Sequence, residues 1–541
     1  MNLNKLVLIM LVSASSVFGQ DIGTTEVKVV EGFKPEIPDA SRLNENAIFA
    51  DTIKKDRTQT YEVIDANLDS DYKTTPLAPA QVKDDKISEL YATEVGVGFG
   101  SAFTTKANIV HNSKRSKTLS YGVIANHLSN AYSPDNYKAK NSKNTIHLYG
   151  KQISSSHIFL ANLDYDRRTA LYYDEKNNLE AEDFFRNRFA YTKLSLSAIS
   201  KETSVLKLKH HTNFFISDLN ELSENQIHLS SNLRKTINGL PFSLTIEFND
   251  YLRYNNSDSK FENTDLKIFS FSPSTSFTKY GIDFDLAFDV DFLSDDSPIG
   301  FFPKIKATKE LVKDVLLIYG GLSHNGQRHT LKSLSDENPY IHSFGTNQSI
   351  LGFSSFPQEL KITDTQELYL AMRNILGKGE VFEGSIAFGT VQNFAHFIDT
   401  VHLSYNRFKV GYLDVKQLHA NANYSRKLNQ IISLNANADF FSWDVDVYHK
   451  PNFTANLSAP INLRNKIKVA PSISYMGERS VNDSDSKLSA QIHANLGVYY
   501  SYSKQLSAYL HLNNLTNSKE DLWLGYREVG FNGVFGVNFS F

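Results

Sequence analysis

Four aspartates and two lysines are the residues whose types and spacing most call for a chemical explanation. Asp283, Asp285, Asp289 and Asp291 alternate with Ile282, Phe284, Leu286, Phe288, Val290 and Phe292. On an extended strand, residues two apart share a face, so the carboxylates line one side and apolar groups the other. Like charges stacked this closely are unfavourable unless countered. Lys304 and Lys306, set among Pro303, Ile305 and Ala307, supply the counter-charge. One antiparallel register would pair Asp291 with Lys304 and Asp289 with Lys306 on the same face, below a loop over residues 293–301. Two roles follow: salt bridges across a wall, or a patch that binds a cation or a partner.

Other chemistry is sparse. His210 and His211 are adjacent, so on a strand they point to opposite faces and cannot share a metal ion. Gly96-Val97-Gly98-Phe99-Gly100 mimics a dinucleotide loop, but neither the helix nor the acidic residue that such a loop needs follows it. A glycine face on a strand, allowing close approach or curvature, is the better reading. No zinc-protease motif, nucleophile elbow or phosphate loop occurs, so no cofactor, metal or enzymatic activity is expected. An enzyme with residues scattered over loops is the exception to keep in view.

The elements that would position these residues are all strands. At the C-terminus Phe531, Phe535, Val537, Phe539 and Phe541 share one face, while Asn532, Val534, Gly536, Asn538 and Ser540 share the other. The same period of two runs through residues 242–249, 418–425, 432–440 and 488–500, each about the length of a tilted membrane-crossing strand. The polar face is small and amide-rich rather than rich in Lys and Glu, which suits a lumen better than the surface of a soluble sandwich. The fold class is therefore all-β, a transmembrane antiparallel barrel of the outer membrane. Phe535, Val537, Phe539 and Phe541 form its expected C-terminal insertion signal, read by the barrel assembly machinery.

Composition agrees. Mean hydropathy is below zero, yet barrels escape hydropathy scans because every second residue is polar. The 37 Phe and 27 Tyr suit aromatic girdles at the membrane interfaces. The absence of Cys removes disulfides and thiolate metal sites. A net charge of -3 gives no reason to expect nucleic acid. Residues 1–19, a short basic head followed by an apolar run, read as a secretory signal peptide.

Short polar turns mark the strand ends at 114–117, 200–203, 237–240, 279–281, 313–314, 377–379, 427–429, 464–466 and 503–505. Longer polar stretches lie between them, the largest at 323–362. Pairing each turn with its loops from residue 91 onward predicts about 22 strands, an even number, with both ends periplasmic. The region 394–414 is expected to hold a loop with strands of its own.

The segment Lys504 to Asn517, with Asn513-Asn514-Leu515 before the final loop, resembles the penultimate strand of TonB-dependent receptors, and the Gly536 to Phe541 ending is similar to theirs. The resemblance covers residues 91–541 and implies a large barrel that carries an N-terminal plug. Residues 20–90 depart from that pattern, being too few for a full plug. They form an extended, Pro-containing periplasmic segment, either a disordered tail or, as apolar residues such as Val27, Phe33 and Phe49 favour, an arm that fills the lumen or docks on a partner.

The resulting expectation is a barrel with a constitutively blocked lumen that does not transport by itself and serves as a non-enzymatic subunit of an outer-membrane assembly or transport complex. Its partners would be outer-membrane lipid and other outer-membrane or surface lipoprotein subunits. The alternative is a TonB-dependent receptor or porin-type transporter for nutrient uptake.

Overall fold

The computed structural model describes residues 90–541, apart from 134–138, 172–185, 202–207, 221–223, 254–264, 295–298, 342–359, 400–407 and 482–485. The expectations for the signal peptide and the arm fall outside the described residues. Among the described residues, 22 antiparallel strands close into one barrel.

The first eight strands are β1 (Thr93–Gly100), β2 (Thr104–Asn112), β3 (Leu119–Tyr132), β4 (Ala139–Ile153), β5 (His157–Leu171), β6 (Arg186–Ser200), β7 (Lys209–Leu219) and β8 (Glu224–Ile237). Then come β9 (Leu240–Arg253), β10 (Leu266–Lys279), β11 (Ile282–Leu293), β12 (Ile299–Val312), β13 (Leu316–Arg328), β14 (Ile362–Gly377), β15 (Glu380–Asp399) and β16 (Phe408–Lys427). The last are β17 (Ser433–Trp443), β18 in two pieces (Phe453–Ser458 and Ile461–Leu463), β19 (Ile467–Met476), β20 (Gln491–Ser501), β21 (Leu506–Asn513) and β22 (Asn532–Ser540). Both pieces of β18 pair with β19.

Eight of the nine turns expected from sequence join consecutive strands at one end of the barrel, the end that also holds the start of β1 and the close of β22, while the turn expected at 200–203 lies partly outside the described residues. A tenth turn there, at Ser154-Ser155-Ser156, carries no Gly, Pro or charge to announce it. Asn238 and Gly239 both have positive φ, 50° and 83°, as a two-residue hairpin requires. The loops lie at the opposite end. Within the region 394–414 the described residues, 394–399 and 408–414, are the far parts of β15 and β16, the two longest strands among the described residues.

The alternation sorts the wall as expected. Phe535, Val537, Phe539 and Phe541 are all exposed on the outer face, while Val534 and Gly536 are buried inside. Large apolar groups facing outward around the wall would meet water at great cost in a soluble protein; in lipid they are at home. Closure joins β1 to β22 from Glu94 opposite Ser540 to Gly100 opposite Val534. Here the glycine face acts as inferred. A Cβ on Gly98 would sit 2.4 Å from the Tyr509 hydroxyl, and one on Gly536 2.3 Å from that ring's Cζ. The Tyr509 ring thus lies flat across the seam, in space that only glycine leaves open.

Candidate functional site

At the loop end the barrel is crossed by a buried cap. Its first part is α1 (Leu331–Glu337), in the loop between β13 and β14. Thr330 starts the helix: its side chain accepts from the Ser333 N–H, and the Ser333 hydroxyl oxygen accepts from the Thr330 N–H. Glu224, 5 % exposed on β8, accepts the Leu331 N–H at 3.1 Å. Lys332 binds Asp166 at 3.0 Å and Asp336 at 2.6 Å, Arg168 reaches Asp336 at 3.4 Å, and Lys450 pairs with Glu337. Beyond the helix, the Asn187 side chain donates to the carbonyls of Pro339 and Ile341, both at 2.9 Å. Leu331, Leu334 and Ile341 are buried beneath this polar collar.

The second part is the hairpin Asp521–Trp523 and Tyr526–Arg527, in the loop between β21 and β22. Tyr526 stacks on Tyr340 with ring centroids 3.6 Å apart, while Trp523 packs edge-on against Phe397 and Phe408. Arg479 donates to the carbonyls of Leu522 at 2.5 Å and Asp521 at 2.9 Å, and Gln491 donates to Asp521 as well. At the base of this loop Asn514, with φ of 51°, donates to the carbonyls of Ser518 and Val529 and accepts from the Ser518 N–H. The Asn-Asn-Leu motif is therefore a clasp that shapes the final loop, and αL tolerance is the reason for asparagine.

One apolar cluster unites both parts with Ala139, Ala170, Phe189 and Leu219 from β4 to β7 and with Ala395, Phe397, Phe408 and Val410 from β15 and β16. β5 and β16 are eleven strands apart in a barrel of 22, half a circumference. The cluster therefore spans the mouth. Two histidines are embedded at this end. His449 donates from Nδ1 to the Phe397 carbonyl at 2.9 Å, and burial holds its pKa down at about 4. Burial likewise lowers His329 to about 4. Both are neutral at pH 7.

The acidic stripe needs a correction. Asp285, not Asp289, lies opposite Lys306, while Lys304 lies opposite Ala287; Asp289 faces Phe302 and Asp291 faces Gly300. The segment from Ile299 to Phe301 joins β12 instead of the loop, which lengthens the hairpin and slides the pairing by an even step. An even slide keeps every residue on its face, so the carboxylates and lysines still share the lumen side. Lys304 reaches Asp289 diagonally as an ion pair, and the Lys306 ammonium lies 5.1 Å from the Tyr319 ring centroid. Asp289 also neighbours His324, whose Nε2 lies 2.9 Å from an Asp364 carboxylate oxygen. His210 and His211 contact different partners, His157 and Ser197. Among the described residues no group of three or more His, Asp or Glu is arranged to hold a metal. Sequence reasoning missed the cap residues Glu224, Asn187, Trp523 and Tyr526. The one available signal was Trp523, one of only two tryptophans, placed in a polar loop.

Neither protein-family models nor curated proteins give a match. Solved structures do. The ferric enterobactin receptor PfeA from Pseudomonas aeruginosa superposes with a TM-score of 0.58 at 12% identity, over 83% of this chain and 80% of that one. The ferric-catecholate import receptor Fiu from E. coli K12 gives 0.60 at 10%, over 84% and 82%. The copper transporter OprC gives 0.59 at 11%, over 83% and 80%. The chain has the fold of the TonB-dependent outer-membrane receptors. That is the fold implied by the Asn-Asn-Leu and terminal Phe resemblance, and the strand number agrees with it.

Proposed function

We propose that this receptor-fold barrel takes up a ligand across the outer membrane, and that the loop-end cap is its gate. The observation that carries the reading is the cap itself: a buried aromatic cluster, collared by ion pairs, that spans the mouth of a lumen otherwise wide enough to leak. The fold neighbours are receptors and a transporter, which ranks uptake above the non-enzymatic complex subunit that sequence alone favoured. In this reading the chain performs no catalysis, the loop end faces outward, both termini face the periplasm, and the terminal aromatic strand is the assembly machinery's address.

Planar-bilayer recordings test the gate. The intact protein should show little steady conductance, and Trp523→Ala, which removes the ring joining Phe397 to Phe408, should raise it. A large, stable pore from the intact protein would sink the proposal. Orientation is open to labelling because the chain has no Cys. A cysteine at Lys519 should react on intact cells and one at Lys427 only after permeabilisation. Purification of a stoichiometric complex with a surface lipoprotein, together with unchanged uptake in a deletion strain, would restore the subunit reading.

A further inference from the structure

We propose that the lumen wall carries a preformed binding site for a small polyanion of the oligophosphate type, below the cap and separate from it. The site is a recess of about 570 Å³ on β7 to β14. Its lining includes Lys209, Arg234, Lys304 and Lys306 against one carboxylate, Asp285. The recess lies beside the acidic stripe, but its own lining is mainly basic.

The register explains the arrangement. One transverse row of opposed residues runs Lys209, Arg234, Ser243, Ser274, Ala287 and Lys304 across β7 to β12. A second runs Ser276, Asp285, Lys306, Gly321 and Tyr369 across β10 to β14. At about 4.8 Å per strand interval, Arg234 and Lys304 stand about 19 Å apart along the wall. Between them lie hydroxyls and an alanine, with no acid in that row. Arg234 at one end of the first row and Lys306 in the second, with hydroxyl donors between, suit an extended anion carrying several negative groups better than a single small ion.

The site is also held in shape. Arg234 Nε donates to Asn232 Oδ1 at 2.6 Å, and Asn232 in turn donates to Ser243 at 3.0 Å and Thr245 at 2.7 Å. This fixes the guanidinium without drawing a carboxylate to it. Gly321, where a Cβ would fall 1.8 Å from the Ile305 carbonyl oxygen, lets β13 approach the β12 backbone closely beside Lys306. Lys304 is engaged with Asp289, so the ligand-facing charge rests on Arg234 and Lys306. These observations concern the wall alone and stand whether or not the cap is a gate.

Calorimetric titration of the purified full chain in detergent with inorganic tripolyphosphate tests the inference. Saturable binding to one site is expected, at least tenfold weaker in Arg234→Gln and in Lys306→Gln and little changed in Arg234→Lys. Lys468→Gln, which removes a lumen-side cation on β19, should bind as the parent does. Heat-modifiable migration on gels certifies that each variant is a folded barrel. No binding by the parent, equal loss in Lys468→Gln, or undiminished binding in both Arg234→Gln and Lys306→Gln would overturn the assignment. Binding of a poly-glutamate peptide in place of tripolyphosphate would overturn the ligand class.

Discussion

Acid should loosen the cap through His449. Its Nδ1–H is committed to the Phe397 carbonyl, and its ring is stacked on Trp523 with centroids 5.6 Å apart. Its Nε2 is buried with no hydrogen-bond partner. Protonating Nε2 would place a cation in this nest beside Arg479 and Lys450, both of which oppose it. The fall from 6.5 to about 4 corresponds to about 3 kcal/mol at about 1.4 kcal/mol per pH unit. The direction follows from linkage. The opened cap binds the extra proton between pH 6.5 and 4 and the closed cap does not, so closure weakens as pH falls through that window. About 2 kcal/mol of the loss comes between pH 7 and pH 5, a roughly thirtyfold rise in cap opening if His449 becomes fully hydrated on opening. Hydrogen exchange, corrected for intrinsic rates, should show protection at 331–341 and 521–527 falling by that order while β17 to β22 hold. His449→Asn, which keeps a donor for Phe397 and cannot titrate, should cut the response to the share carried by His329. The same pH dependence in His449→Asn, or none in the parent, would refute the reasoning.

Three further outcomes follow. Glu224→Gln removes the buried charge that accepts the Leu331 N–H; it should cost about 1–3 kcal/mol of local stability, read as faster exchange in α1 with the barrel's melting unchanged. Gly536→Val would force a side chain into the Tyr509 ring, so the heat-modifiable folded form should fall sharply, with partial recovery when Tyr509→Ser is added. Cysteines at Asp285 and Lys306, directly opposed on adjacent strands, should cross-link with a short reagent, whereas cysteines at Asp289 and Lys306 should not; the reverse would restore the register expected from sequence.

By itself the sequence determined the barrel. Alternation with a period of two is a property of neighbouring residues, so the lipid face of Phe535, Val537, Phe539 and Phe541 needs no knowledge of the rest of the chain. Turn chemistry is equally local, as at Asn238-Gly239, and counting turns yields the strand number. The glycine face of β1 was legible because glycine at alternate positions has few other uses in a strand. Register was not. Whether Ile299 to Phe301 is loop or strand depends on lipid on one side and β11 on the other, and that choice moved each lysine to a new partner. The cap lay further still from view. Leu331, Tyr340, Phe397, Phe408 and Trp523 are joined by contacts between segments far apart in the chain, and nothing in their local pattern marks them as neighbours. Only closure of the barrel, which brings β4 to β7 and β15 to β16 to opposite sides of one mouth, leaves a space that these side chains can fill.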